Sequence, residues 1–517
     1  MNSHLTFSRR SILLPLLILA LALGLTGCSS KGNSDKKTFV LATASDVVIM
    51  DPQMINDIPS TNVLLGKVYE NLVTVDAKGQ LVPQLATEWK QVNPTTWEFT
   101  LRKGVKFQDG TPFNAEVVKK NFDRLRDPAV PKVRRQLLDK VQEVKVISDD
   151  KVQIITSTPF PPLLPNLAHT GTAIISGQAI DNDKTKPIAQ NPVGTGPYKM
   201  ALWTKGEQVT LEAFPDYWGK KPTLNKIIFK VVPEDATRMA MVQTGEAQAA
   251  DKVPFTDVDR YAKDAKFNLI RTVGYGTEFI GLNLRKPQFE DIRVRQAINL
   301  AIDRDAILSG VYNNVGKKNV STLGPLVFGF NPNLPAAEYN PEKAKQLLKE
   351  AGMDNGKLQF SIWTSSNNKV RIKLAEVLQA QLKSVGIQVD IKTVEWGAFL
   401  AAMKNGETDM YLLGWANQSG DGDASLSPVW SKEGFMTGEN GSFYSTPQVE
   451  ELLVAARQEM NPEKRKEMYQ KVQEIFTADQ VRFVTRGTEY ISITGKNVKG
   501  LRYTPSEVSV FDDVVIE

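Results

Sequence analysis

The stretch Trp97-Glu98-Phe99-Thr100-Leu101-Arg102-Lys103-Gly104-Val105-Lys106-Phe107-Gln108-Asp109-Gly110-Thr111-Pro112-Phe113 decides how the rest of the chain is read. Trp97, Phe99 and Leu101 alternate with polar neighbours, the period of a half-buried strand. Lys103-Gly104 and Asp109-Gly110 are turn signals. Thr111–Leu125 then carries Val117, Val118, Phe122 and Leu125 at helical spacing. Strand, turn and helix in succession predict a layered α/β fold.

The same grammar extends in both directions. Thr38–Thr43 reads as a short apolar strand, followed by a loop through Asp51-Pro52. Val63–Val73 is expected to form a helix running into Val73-Thr74-Val75. Asp291–Leu308 places Val294, Ala297, Ile298, Ala301 and Ile302 on one face and is expected to be one helix. Asn340-Pro341 supplies a cap and a first-turn proline for another, which Gly352 ends. Lys369–Val385 is a third, stopped at Gly386 and leading into a strand with Ile387, Val389 and Ile391 on one side. No short internal repeat occurs, which argues against a solenoid.

The N-terminus has a different composition. Arg9 and Arg10 precede the apolar run Ser11–Leu25, and Leu25-Thr26-Gly27-Cys28 closes it. A basic stretch, an apolar core and small residues mark an export signal. The run is shorter than the roughly 20 residues a spanning helix needs. Ser8-Arg9-Arg10 is also compatible with twin-arginine export. Ser29–Lys37 is small and polar and reads as a flexible tether. Loss of residues 1–27 removes two arginines and no acids, lowering the formal charge from +5 to +3. The remaining basic residues are dispersed, unlike the concentrated footprint of a nucleic-acid binder.

Five motifs carry a family resemblance: Leu85-Ala86-Thr87-Glu88-Trp89, the Trp97–Phe113 stretch, Pro192-Val193-Gly194-Thr195-Gly196-Pro197-Tyr198, Asp291-Ile292-Arg293-Val294-Arg295-Gln296-Ala297-Ile298 and Tyr339-Asn340-Pro341-Glu342-Lys343-Ala344. Together, in this order, they resemble the peptide, dipeptide and nickel branch (family 5) of bacterial solute-binding proteins of ABC importers. Leu25-Thr26-Gly27-Cys28 likewise resembles a lipobox, which implies lipidation of Cys28, the only cysteine of the chain. The resemblance implies a two-lobed, type II periplasmic-binding-protein-like α/β fold with an extra subdomain in the first lobe. The expected boundaries are a signal over 1–27, a tether over 28–37, the first lobe over 38–273, the second over 274–489 and a return to the first over 490–517. Chain crossings between lobes are expected near Arg271–Gly276 and Thr485–Thr494.

Ligand candidates follow from the loop Met410-Tyr411-Leu412-Leu413-Gly414-Trp415-Ala416-Asn417-Gln418-Ser419-Gly420-Asp421-Gly422-Asp423, a polar, glycine-rich segment after an apolar strand. In peptide-binding relatives an aspartate three residues after this tryptophan pairs with the peptide α-ammonium. Here that position is Gln418, which cannot neutralise a charge. Either Asp421 or Asp423 takes over, or the ligand presents no simple α-amine there. Gly-Asp-x-Asp followed by Leu426-Ser427-Pro428-Val429-Trp430 is closest to the glutathione-binding subgroup. Both aspartates also suit a solvated turn. Trp396 and Trp415 are candidates to enclose a ligand, with core packing the alternative for Trp396. Tyr275, in Gly274-Tyr275-Gly276, offers a hydroxyl at the hinge, and Met54 faces the cleft in the family arrangement. Arg134 or Arg135 is the expected partner of a ligand carboxylate.

Other chemistries find little support. A calcium loop from Asp421 needs glycine sixth and glutamate twelfth, and finds Leu426 and Lys432. Gly194-Thr195-Gly196 continues into Pro197-Tyr198-Lys199, not the Gly-Lys-Ser/Thr of a phosphate loop. With His4 in the leader, His169 is the sole remaining histidine, and no Gly-x-Ser-x-Gly elbow is present. A binding protein rather than an enzyme is expected, with no cofactor and no protein-built metal site. Its partners would be a small solute or short peptide, an ABC permease and, through the lipid, the outer face of the cell membrane or the periplasm, with the protein a monomer. A chelated nickel complex or another small organic solute is the alternative cargo.

Overall fold

The structure is a computed structural model that describes residues 37–76, 79–129 and 133–517. The expected signal, Cys28 and all of the tether but Lys37 lie outside the described residues. A ten-stranded mixed sheet forms the spine. Its order is Gln388–Val394, Gln359–Ser365, Met410–Trp415, Phe267–Leu282, Arg482–Gly495, Ala249–Ala250, Thr38–Thr43, Lys226–Val231, Gln208–Ala213 and Tyr198–Thr204. The two central strands, Phe267–Leu282 and Arg482–Gly495, are by far the longest and pair antiparallel from Phe267↔Gly495 to Gly281↔Arg482.

Apolar packing divides along this spine. One core gathers Ile280, Val294, Ile298, Leu348, Leu378, Met410 and Phe483. Another gathers Phe39, Leu41, Tyr69, Leu211, Phe229, Tyr490 and Phe511. The two long strands feed both cores, so the sheet is shared while the cores are separate, as two α/β lobes require. A third core belongs to the antiparallel sheet Ala86–Asn93, Thr96–Leu101, Lys151–Thr156 and Val141–Ser148, covered by the helix Ala115–Arg126. Within it Phe99 and Leu101 are buried, whereas Trp97 sits half-buried at the rim.

Local signals place most elements. Asn340 caps Pro341–Glu350 by accepting from the Lys343 N–H, and Asn368 caps Lys369–Ser384 through Arg371. Two expectations are corrected. The helix expected over Val63–Val73 is Ile58–Leu64: Asp57 caps it through Ser60, and Gly66 at φ +72° turns the chain out of it. The single helix expected over Asp291–Leu308 is two, Ile292–Leu300 and Arg304–Gly310. Asp303 caps the second through Ala306 and so interrupts the first.

Gly194-Thr195-Gly196 is a close-packing motif. A Cβ on Gly194 would lie 2.0 Å from the Val68 carbonyl oxygen, and one on Gly196 would lie 2.2 Å from that of Lys67. Contact this close brings Thr195 onto the buried Glu70, which accepts hydrogen bonds from Thr195 Oγ1 (2.8 Å), Tyr217 Oη (2.9 Å) and Trp218 Nε1 (2.8 Å). Burial lifts the Glu70 carboxyl from 4.5 to about 7, although these donors pull the other way. A group raised on folding contributes stability that is intact below its unfolded pKa and is lost as pH rises through the folded value. Glu70→Gln is therefore expected to flatten the decline in stability between pH 5 and 8, a difference of about 3 kcal/mol in urea titrations. An unchanged pH profile would refute it.

Candidate functional site

The sheet is irregular partway along its two longest strands. Between the pairs Val273↔Glu489 and Thr277↔Gly487, the three residues Gly274-Tyr275-Gly276 stand opposite Thr488 alone. Such a bulge bends the strand and frees its backbone from the ladder. Both glycines are demanded by crowding: a Cβ on Gly274 would lie 2.6 Å from Thr488 Oγ1, and one on Gly276 would lie 2.8 Å from the Trp415 carbonyl oxygen.

A cavity of about 170 Å³ opens beside the bulge, lined by Gly276–Glu278, Arg371, Gly414–Gln418, Thr488 and Pro505–Glu507, with Ile58 opposite. Glu278 and Arg371 form an ion pair on its wall, Nε to Oε2 at 3.0 Å and Nη2 to Oε1 at 3.2 Å. Gly414 makes room for it, since a Cβ there would lie 2.8 Å from Glu278 Oε1. Burial pushes the Glu278 carboxyl up, but the charge and bonds of Arg371 outweigh it and hold it below the usual carboxylate range. Trp415 donates its indole N–H to the Ala424 carbonyl at 3.2 Å. It also lines a second cavity of about 370 Å³, together with Trp396, Leu400 and Leu413. The structure thus brings Trp396 and Trp415 to one cavity, with Trp396 38% exposed.

The far side is a hairpin turn near the C-terminus, between the short strands Arg502–Tyr503 and Ser509–Val510. Asn62 Oδ1 accepts from the Ser509 N–H at 2.7 Å, and Lys67 Nζ donates to the Ser509 carbonyl at 2.6 Å. Tyr275 N–H donates to the Pro505 carbonyl at 3.1 Å, tying the turn to the bulge. Glu507 sits within it at φ +67°, a left-handed backbone that costs a non-glycine residue energy. Its carboxyl is raised by burial, opposed by Lys252. Among the described residues no hydrogen-bond donor or basic nitrogen pairs with it.

The recognition loop is largely held by its own bonds, although Gln418 Oε1 is buried without a hydrogen-bond partner among the described residues. Asn417 Nδ2 donates to the Asp421 carbonyl (2.7 Å) and to Ser425 Oγ (2.8 Å), while its Oδ1 accepts from the N–H of Ser419 and of Gly420. The Asp421 carboxylate is engaged by Arg465 through two bonds of 2.6 and 2.7 Å, with both side chains buried. Asp423 accepts from Ser427 and lies 3.1 Å from Arg457 Nε. The structure therefore gathers Trp415 and Gln418 at the 170 Å³ cavity, while the two aspartates are held behind it in ion pairs. Gln418 approaches His169, whose imidazole burial depresses to about 3, with Arg134 adding to the effect. His169 is thus held neutral, its Nδ1 accepting from the Gly171 N–H at 2.9 Å.

The other candidates are scattered. Tyr275 is buried, its hydroxyl facing Gly79 and Gly420, where an added Cβ would approach it to 2.6 and 2.9 Å. Met54 ends a short 3-10 helix, Pro52–Met54, and is half-buried. Arg134 Nε donates to the Ile55 carbonyl at 2.7 Å, and Arg135 is exposed. Sequence reasoning missed Glu278, Arg371, Thr488 and Glu507. Gly414 beside Trp415 was the available hint for the first two, because a strand glycine often marks close approach.

Comparison with known proteins places the chain in a family. The model for bacterial extracellular solute-binding proteins, family 5 (middle region), matches residues 80–437. The dipeptide-binding protein of Escherichia coli (strain K12) is 29% identical over 97% of this chain and 98% of its own length. A glutathione-binding protein of Salmonella choleraesuis (strain SC-B67) is 31% identical over 92% of this chain and 94% of its own. The ABC transporter-associated periplasmic binding protein DppA of Helicobacter pylori, solved with the peptide STSA, superposes with a TM-score of 0.80 at 30% identity, covering 93% of this chain and 98% of that one. The family model, the relatives and the two-lobed fold converge on one conclusion: the chain belongs to family 5 of the bacterial extracellular solute-binding proteins.

Proposed function

We propose that this protein is the extracytoplasmic receptor of an ABC importer and that it carries a short peptide, or a glutathione-like peptide, in the cleft between its lobes. The observation that carries this reading is the cavity at the bulge, walled by the hinge strands, the Trp415–Gln418 loop and the C-terminal hairpin. Its 170 Å³, adjoining the 370 Å³ space that shares Gly414 and Trp415, is the scale of a small solute rather than of a folded partner. The dipeptide, glutathione and STSA ligands of the relatives agree with it.

On this reading the lobes are residues 38–273 with 490–517, and 274–489. Ligand bridges them and favours the closed form, which docks on the permease. The protein acts as a monomer, returns its ligand unchanged, and is held at the outer face of the cell membrane by a lipid on Cys28.

Native mass spectrometry of the purified protein is expected to show a bound species of di- to tetrapeptide mass. Calorimetry should show binding of dipeptides or glutathione, and binding of nickel without an organic ligand would sink the reading. Trp415→Ala should weaken peptide affinity about 30-fold. It should also lower thermal stability, because the indole packs against two apolar clusters and donates to the Ala424 carbonyl. Trp415→Phe should keep most of the packing and lose less affinity. Asp421→Asn should lower stability by about 3 kcal/mol, because Arg465 is left buried without its counter-charge. Cys28→Ser should abolish palmitate labelling and release the protein from membranes, and a variant still labelled would refute the anchor.

A further inference from the structure

Gln418 leaves the Trp415 loop without the charge that would hold a ligand cation, and the two nearby aspartates are already spent. Asp421 is bound by Arg465 and Asp423 by Ser427 and Arg457. Three ionisable side chains line the 170 Å³ cavity: Glu278, Arg371 and Glu507. Glu278 and Arg371 neutralise one another at 3.0 Å. Glu507 remains, lining the same cavity as Gln418, with no basic nitrogen within 4.0 Å among the described residues.

Its placement is maintained at a cost. The backbone stands at φ +67°, where glycine would be unstrained. The turn is held in place from two sides, by Asn62 and Lys67 of the first lobe and by the Tyr275 N–H of the hinge. Strain retained by surrounding structure and aimed into a cleft is the pattern of a functional residue. The other charges in its field are accounted for. Asp251 accepts from the Ala44 N–H and lies 3.6 Å from Arg238. Arg486 donates to the Val315 carbonyl and rests on Tyr312, and Lys252 is exposed to solvent. None of them approaches Glu507 closely enough to form an ion pair.

We infer that Glu507 is the anionic anchor of the site, pairing with a ligand ammonium and so selecting solutes that carry a free amine. This rests on the peptide-binding reading and adds to it which chemical group of the solute is read, and by which residue. The charge supplied from the loop in peptide-binding relatives would here come from the opposite wall, contributed by the C-terminal hairpin. The bound amine would then lie between the hinge bulge and residues 505–507, and the rest of the ligand would run past Gln418 toward Trp415.

The test uses calorimetry on the full-length mature protein with four probes: alanyl-alanine, N-acetyl-alanyl-alanine, glutathione and N-acetylglutathione. Wild type is expected to bind at least one free-amine probe about 30-fold more tightly than its acetylated form, the size expected for a desolvated charge pair. Glu507→Gln should reduce that preference to within about 3-fold by weakening the free-amine probe alone. Glu507→Gly removes the carboxylate and the backbone strain together. It should show the same loss of preference with a melting temperature at or above wild type, which excludes misfolding as the cause. If wild type binds free and acetylated probes equally, or either variant keeps the preference, the assignment of Glu507 is overturned while the peptide reading stands. If wild type binds none of the four, the peptide reading fails and takes the assignment with it.

Discussion

Everything in this molecule depends on the pairing of Phe267–Leu282 with Arg482–Gly495. These strands lie side by side at the centre of the ten-stranded sheet, and their ladder runs on both sides of the bulge. Interstrand bonds are worth only about 1 kcal/mol each net, but a run of them shared by two separate cores resists shear and permits twist. The bulge at Gly274-Tyr275-Gly276 is where that resistance is relaxed. It is also where the ladder withdraws and the cavity begins, so under the proposed function hinge and binding surface are one local irregularity. The glycines there are not spare flexibility: Thr488 and the Trp415 carbonyl leave no space for a side chain at either position.

How much of this was legible in the sequence depended on how local its cause was. The strand Thr96–Leu101, the cap at Asn340 and the stop at Gly386 each arise from residues within one or two turns, and were read correctly. The interruption at Asp303 was missed because helical spacing continues across it while a capping side chain overrides it. The family motifs were legible as patterns, yet the role of Gly194 and Gly196 was not, since the backbone they touch lies far back in the chain at residues 67 and 68.

The cleft shows the same limit. Trp415 and Gln418 could be named because they follow an apolar strand. That Asp421 is committed could not, because its partner Arg465 is 44 residues on. Glu278 and Arg371 are 93 residues apart, one on a central strand and the other in the first turn of the helix Lys369–Ser384, and only tertiary packing joins them. Glu507 carries no motif at all. Its significance comes from a backbone angle and from the lack of a partner among the described residues, neither of which composition or periodicity encodes.

Asn417 has a kinetic consequence. Its amide holds the turn at Ser419 and Gly420, and it ties Asp421 and Ser425 into the same network, so the recognition loop is ordered by its own bonds. A loop ordered in advance loses little conformational entropy when a solute arrives. On the proposed reading the work of capture then falls on the closure of the lobes, and solutes that fit the same wall differ chiefly in dissociation rate.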